Sequence, residues 1–79
     1  MDKMEKIQFV EYKINHYAQV IIDENDKFDE LAVGELIFYT SLRRMLDGKG
    51  SIQDKGTMDA INDFLQEMGL VEEGRTFYE

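Results

Sequence analysis

Apolar residues recur at steps of three and four positions in three separate stretches of this chain, a spacing that gathers them on one face of a helix. The first stretch predicts a helix over residues 4–23. Its apolar positions are Met4, Ile7, Val10, Ile14, Tyr17, Ala18 and Ile21. Many of these residue types also favour extended chain, so a strand or hairpin is the competing interpretation. Strict alternation breaks between Phe9 and Val10, and this favours the helix.

The two later stretches have recognisable ends. We predict a second helix over residues 27–47, with Asp26 as its N-cap and arginines near its end, an order that suits the helix dipole. The third helix should cover residues 57–68, with Thr57 as its N-cap and Gly69 as a left-handed C-cap. Its apolar arc, which should face the core, comprises Met58, Ala60, Ile61, Phe64, Leu65 and Met68.

A short tail, residues 70–79, follows the third helix. It could form a β-hairpin around Glu73 and Gly74, although glutamate is a poor residue where a positive φ is needed. The predicted fold class is therefore all-α: one small domain over residues 1–79, with three helices and a C-terminal tail or hairpin.

The shortness of the chain limits its core. A chain of 79 residues buries only about 60–65% of the surface that it exposes when unfolded. It contains no cysteine, so no disulfide or thiolate metal site can reinforce the fold, and a partner is a plausible way to complete it. We find neither a membrane-spanning run nor a signal peptide and therefore expect a cytoplasmic protein.

Acidic residues outnumber basic ones by 17 to 9, for a net charge of −8, and they are concentrated in two blocks. In each block, residues 23–35 and residues 54–73, six acids face one lysine. The one positive stretch lies between them and contains Arg43, Arg44 and Lys49. A DNA-binding module is expected to cluster lysine and arginine, because neutralising phosphates supplies most of its non-specific affinity. The charge distribution therefore argues against nucleic acid as the partner.

The C-terminal part of the chain nevertheless resembles the end of a winged helix-turn-helix domain. Residues 57–68 would stand as the recognition helix and residues 70–78 as the wing. This resemblance implies a DNA-binding transcriptional regulator, with the basic cluster of Arg43, Arg44 and Lys49 as its contacts to DNA. The solvent face of the helix departs from that pattern, since it offers no lysine or arginine to a phosphate or a guanine.

Three carboxylates follow one another on the predicted third helix. Asp59, Asp63 and Glu67 are spaced four residues apart, which places them in a row roughly 6 Å from each other. One interpretation is functional: this acidic row binds a basic surface on a partner protein and is steered there by long-range attraction. The other interpretation is a solvated face that keeps a small protein in solution.

The first two helices carry more apolar residues than one core face can use. Phe9 and Tyr12 fall roughly opposite the main apolar face of the first helix, and Val33 and Ile37 lie away from the main arc of the second. That main arc holds Leu31, Ala32, Leu36, Phe38, Tyr39, Leu42, Met45 and Leu46. Exposed apolar stripes mark interaction sites, so we predict a homodimer or an obligate partner packed against these second stripes.

Residues suited to catalysis or metal binding are scarce. His16 is the only histidine, so no paired-imidazole metal site exists. Residues 47–52 resemble part of a calcium-binding EF-hand loop, but placing Gly50 at the glycine position puts Met45 and Gly56 where oxygen ligands are required. We predict no enzymatic activity, no cofactor and no metal.

These observations lead to a functional hypothesis: a small, acidic, non-enzymatic protein-binding module with a regulatory or inhibitory role. Its partner would be another protein, with a basic surface that suits the acidic row, and neither nucleic acid nor a membrane is expected. The alternative, from a different class, is a winged-helix-like DNA-binding transcriptional regulator. Small acidic chains of this kind also occur among mobile-element genes that antagonise host factors, which suggests such an origin.

Overall fold

The computed structural model describes residues 1–23 and 30–78, and it confirms the all-α prediction. Its helices are α1 (Lys3–Asp23), α2 (Glu30–Leu46) and α3 (Ile52–Glu67). No strand occurs in the two described ranges. The N-cap predicted at Asp26 lies outside them.

The tail after α3 forms turns and not a hairpin. Gly74 has a φ of +84°, and the Arg75 amide donates to the Glu72 carbonyl at 3.0 Å. The tail is held by side chains of α3 instead. Asn62 donates to the Arg75 carbonyl at 3.0 Å and accepts from the Phe77 amide at 2.9 Å. These bonds use backbone groups that a strand pair would need, so no ladder forms.

α1 and α2 pack as an antiparallel pair. Early residues of α1 meet late residues of α2: the Glu11 carboxylate accepts from Arg43 at 2.7 Å. Further along α1, the Tyr17 ring stacks on Tyr39, with centroids 6.1 Å apart. The interface is therefore rich in aromatic contacts and closed at its edge by an ion pair.

α3 begins at Ile52, so the prediction of Thr57 as its N-cap is wrong. Ser51 is the N-cap: its hydroxyl accepts from the Asp54 amide at 3.0 Å, and the Asp54 carboxylate accepts from the Ser51 amide at 3.0 Å. This capping box satisfies two amides at the helix start, one of them in the first turn, where amides lack helical partners. Thr57 lies within the helix, where its hydroxyl donates to the Gln53 carbonyl.

The C-terminal end of α3 agrees with the sequence prediction. Gly69 has a φ of +76°, the left-handed conformation expected of it. The Leu70 amide then donates to the Leu65 carbonyl at 2.8 Å, as in a Schellman motif. Gly48, with a φ of +73°, follows α2 in the same conformation.

α2 is the central helix of an elongated fold. Both α1 and α3 pack against it, whereas no Cα atom of α1 lies within 8 Å of one in α3. The molecule measures 44 × 24 × 23 Å and has a radius of gyration of 13.9 Å. A compact domain of this length would have a radius of gyration of about 12 Å.

The core is small, and the predicted apolar arcs are only partly buried. The buried apolar residues of the described ranges are Val10, Ala32, Leu46 and Met58. Leu31 of α2 is 75% exposed, Phe64 of α3 is 62% exposed, and Met68, the C-cap of α3, is 59% exposed. Their assignment to the core is therefore wrong, because periodicity groups residues on one face of a helix without supplying a neighbour that covers that face.

The tail bridges α3 to the pair formed by α1 and α2. Phe77 and Tyr78 lie against a cleft whose other walls come from both helices of that pair. Those walls include Phe9 and Val10 of α1 and Leu42 and Leu46 of α2. The tail thus supplies a link between α1 and α3 that the helices themselves do not make.

Candidate protein-binding surfaces

Large apolar side chains are exposed on all three helices and next to the ends of α1 and α3. Within residues 1–23 and 30–78 they are Met1, Met4, Phe9, Tyr12, Ile22, Leu31, Ile37, Ile52, Phe64, Met68 and Leu70. An isolated exposed apolar residue is ordinary in a folded protein. Here the exposed set outnumbers the four buried apolar residues, and such surfaces mark sites of contact with other molecules.

On α1, the structure separates the two apolar residues predicted to contact a partner. Phe9 lies edge-on to the Tyr39 ring of α2 at 6.2 Å, so it borders the α1–α2 interface instead of facing away from it. It does so because it lies about 100° around the helix from the buried Val10. Tyr12 is exposed and stacks on His16 with centroids 6.3 Å apart.

The predicted pair on α2 lies on a different surface. Ile37 is 64% exposed and lines a cleft between α2 and α3. Val33 is half-buried one turn before it. Phe9 lines the separate cleft beneath the tail. The structure thus places Val33 near Ile37 on α2 but does not join these two residues to the pair on α1.

Two adjoining clefts lie along α2, the first beside its N-terminal half and the second reaching Arg44 near its end, and together we name them the α2 groove. The first has a volume of about 460 Å³, and the second has a volume of about 440 Å³. Gly34 and Phe38 line both. Tyr17 of α1 lines the first cleft, and Thr57 and Ile61 of α3 line the second. The groove therefore has α2 as its floor and a wall from each of the other helices.

Asp54 lies at the polar end of the α2 groove and is buried. Its carboxylate accepts from Nε and Nη2 of Arg44, each at 2.7 Å, and from the Ser41 hydroxyl at 2.7 Å. The Arg44 guanidinium, the Ser51 amide and the Ser41 hydroxyl hold the pKa of Asp54 well below its usual range. The same contact raises the pKa of Arg44. This cluster is a polar anchor between α2 and α3.

A second polar contact lies at the other end of the groove. Tyr17 of α1 is hydrogen-bonded to Glu35 of α2, and this carboxylate raises the pKa of Tyr17 to about 12. Glu30 and Glu35 both line the first cleft. The groove is therefore apolar along its centre and acidic at this end.

The three carboxylates of the acidic row have different surroundings. The Tyr78 hydroxyl donates to the Asp59 carboxylate, and Asp59 is half-buried. Asp63 and Glu67 are exposed, and together with Glu73 they line a surface depression of about 300 Å³. The carboxylates that face solvent are thus Asp63 and Glu67, while Asp59 holds the tail.

The basic cluster of the DNA-binding alternative is largely engaged within the chain. Arg43 donates to the carboxylates of Glu11 and Asp47, at 2.7 and 2.9 Å. Arg44 is bound to Asp54. Lys49 is exposed. Two of the three cations are therefore already neutralised by neighbouring acids.

No group of three or more metal-ligating side chains comes together in residues 1–23 and 30–78. His16 contacts two aromatic rings: it stacks on Tyr12 and meets Tyr17 edge-on at 5.1 Å. The geometry around His16 is thus aromatic packing.

Sequence reasoning missed two residues that shape these surfaces. Asp54 lies outside the predicted third helix, although Ser51 followed by an acid three positions later is a helix-start signal. Gly34 is absent from the predicted site residues, although a glycine within a helix lowers helix stability and often indicates a packing or functional role. Both signals were present in the residues themselves.

Comparison with known proteins gives no assignment. No protein-family model, curated protein or solved structure matches the chain. No helix of the described residues is long and apolar enough to cross a membrane. A function must therefore be inferred from the surfaces of the chain itself.

Proposed function

We propose that the chain is a non-enzymatic protein-binding module with a regulatory or inhibitory role in the cytoplasm. The observation that carries this proposal is the excess of exposed over buried apolar residues on an elongated fold. Burial of apolar surface is the main favourable term in protein association. A partner that covers part of this surface would therefore stabilise the thin fold of this chain.

Charge supports a basic partner. The chain carries a net charge of −8, and Asp63 and Glu67 face solvent on α3. Opposite charge on a partner would accelerate the encounter. Binding would then weaken as added salt screens the electrostatic attraction. Two copies of this chain would instead repel each other, so a different protein fits better than a homodimer.

The DNA-binding alternative has less support. Arg43 and Arg44 are both in ion pairs with acids of the chain, and a phosphate would have to compete with those carboxylates. We therefore propose the protein-binding role alone.

The test is recovery of bound proteins from the native host at low and high salt, with the wild type and with Asp63→Lys/Glu67→Lys. Asp59 stays unchanged in this variant because it binds Tyr78. We expect one or more basic proteins to be retained at low salt by the wild type and lost with the variant. The control is Asp23→Lys/Glu72→Lys, which alters two exposed acids elsewhere and shifts the net charge equally.

Two further measurements separate the alternatives. A solution mass equal to two chains would favour the homodimer. A mobility shift of duplex DNA at low salt that is lost with Arg43→Ala/Arg44→Ala would favour the transcriptional regulator. Retention of no protein at any salt concentration would contradict the proposed role.

A further inference from the structure

We infer that the α2 groove is the docking site for a basic amphipathic helix of the partner. The docked helix would lie along α2, between α1 and α3. This inference rests on the proposed protein-binding role and names its site and the chemistry of its ligand.

The first support is the shape of the groove. α1 and α3 both pack on α2 without approaching each other, so they stand as two walls with α2 between them. Leu31 and Phe38, seven residues apart, span about 10 Å along the floor, or roughly two helical turns. A helix that lies there would turn three helices into a four-helix arrangement and would contact all three elements.

The second support is the apolar character of the groove. Leu31 is 75% exposed and Ile37 is 64% exposed, and they border the floor on its two sides. Ile61 of α3 and Tyr17 of α1 extend this surface up the walls. Grooves of this type bind the apolar face of a helix through residues spaced three, four and seven apart.

The third support is Gly34, at the centre of the floor. It is exposed in the middle of α2, and a Cβ added there would meet nothing within 4 Å. Nothing in the described part of the chain requires a glycine at this position, and a mid-helix glycine destabilises a helix relative to alanine. A glycine does allow another backbone to approach closely, as a helix in the groove would.

The fourth support is the charge of the groove lining, which favours a basic helix over a second copy of this chain. Glu30 and Glu35 line the groove, and Arg44, the one cation in the described lining, is held by Asp54. A second copy of this chain would bring a net charge of −8 to an acidic site. A helix with lysine or arginine beside its apolar face complements the groove instead.

The test uses the full chain and a synthetic peptide of about five helical turns, with leucines on one face and lysines on the other. Glutamine and glutamate versions of the peptide serve as charge controls. Binding is followed by NMR chemical shifts of the whole chain. We expect saturable binding of the lysine peptide, with the largest shifts at Leu31, Gly34, Ile37 and Phe38, weaker binding of the glutamine peptide and none of the glutamate peptide.

Gly34→Ala and Gly56→Ala form a matched pair of variants. Both glycines are exposed within helices and have open space for a Cβ, but Gly56 lies outside the groove lining. Each change should raise the melting temperature by about 4–8 °C, because alanine favours the helix. Only Gly34→Ala should weaken peptide binding, by tenfold or more. Ile37→Ser should weaken it similarly, whereas Leu70→Ser, at another exposed apolar residue, should not.

Three outcomes would overturn the inference. The first is no saturable binding of the lysine peptide up to about 1 mM, and the second is shifts centred outside the groove. The third is equal binding by Gly34→Ala and the wild type. If a host protein is retained in the salt-dependent experiment but ignores Gly34→Ala and Ile37→Ser, the groove assignment fails while the protein-binding role stands. If neither host protein nor peptide binds, both fail.

Discussion

The two interfaces of α2 differ in chemistry. α1 meets α2 through aromatic rings, with Tyr39 in contact with both Phe9 and Tyr17. α3 meets α2 through the Arg44–Asp54–Ser41 cluster, beside the buried Met58. The first interface spreads its contacts along two long helices, whereas the second concentrates them near the start of α3.

This contrast indicates where the fold is vulnerable. Apolar contacts spread over a long interface lose only a part of their stabilisation when one of them is removed. A buried carboxylate that loses its cation is left without a partner, and this destabilises the other hydrogen bonds of the cluster as well. We therefore expect the attachment of α3 to depend on a few residues and to weaken in acid, and the α1–α2 pair to depend less on any single residue and to respond to pH only in alkali.

The largest expected effect is that of Met58→Ala. Met58 is completely buried, so its truncation leaves a cavity and should lower the free energy of unfolding by about 2–5 kcal/mol. That is a large share of the roughly 5–15 kcal/mol that stabilises a small domain. Urea unfolding measures the loss. Met68→Ala is the control: this residue is mostly exposed, and its change should cost less than about 0.5 kcal/mol.

Asp54→Asn should remove the charge on which the polar anchor depends. We expect lower stability at neutral pH than in the exposed-site control Asp63→Asn. Because the pKa of Asp54 is lowered in the folded chain, its stabilisation is present above the unfolded value of about 3.9 and is lost as the pH falls below it. Urea unfolding between pH 5 and pH 2, a window of about three units around that value, should therefore show a smaller acid-induced loss in Asp54→Asn than in the wild type. An identical acid profile would remove the contrast between the two interfaces.

Asn62→Ala should release the tail from α3. Its two hydrogen bonds to the backbone of Arg75 and Phe77 would be lost, and the expected cost is about 1–3 kcal/mol. Hydrogen exchange at the Phe77 amide should accelerate more than exchange within α1. The exposed Asn15 of α1 provides the control, since Asn15→Ala should leave both quantities nearly unchanged.

The smallest effect concerns Tyr17 and appears only in alkali. Glu35 raises the pKa of Tyr17 from 10.0 to about 12, so the contact stabilises the fold below pH 10 and is lost as the pH rises toward 12. Wild type should therefore lose more stability over this range than Tyr17→Phe, as measured by urea unfolding. Tyr12→Phe alters an exposed tyrosine and should behave as the wild type.

The sequence predicts the three helices and the glycine that ends α3, because periodicity and capping act through neighbours along the chain. The predicted start of α3 at Thr57 is wrong, although the capping box of Ser51 and Asp54 is equally local. The helical spacing predicts that the acidic row lies on α3. It does not predict the hydrogen bond from Tyr78 to Asp59, because this bond depends on the path of the tail. No spacing of residues specifies that path.

The exposure of Leu31 and Phe64 could not be read from their positions. Each belongs to a regular apolar arc, and periodicity says which residues share a face but not whether a neighbour covers it. Coverage depends on which helices pack together, here α1 with α2 and α2 with α3, and this is a property of the whole fold. The α2 groove is a consequence of that arrangement.

Because Met58 is completely buried, its oxidation can report how often the folded chain opens. Peroxide converts accessible thioethers to sulfoxides, and Met1, Met4 and Met68 face solvent in the folded chain. Peroxide would reach the sulfur of Met58 only when the packing around α3 opens or the whole chain unfolds. The rate at which sulfoxide forms at this residue, measured by mass spectrometry, would thus report how often that packing opens, and a bound partner helix should lower the rate.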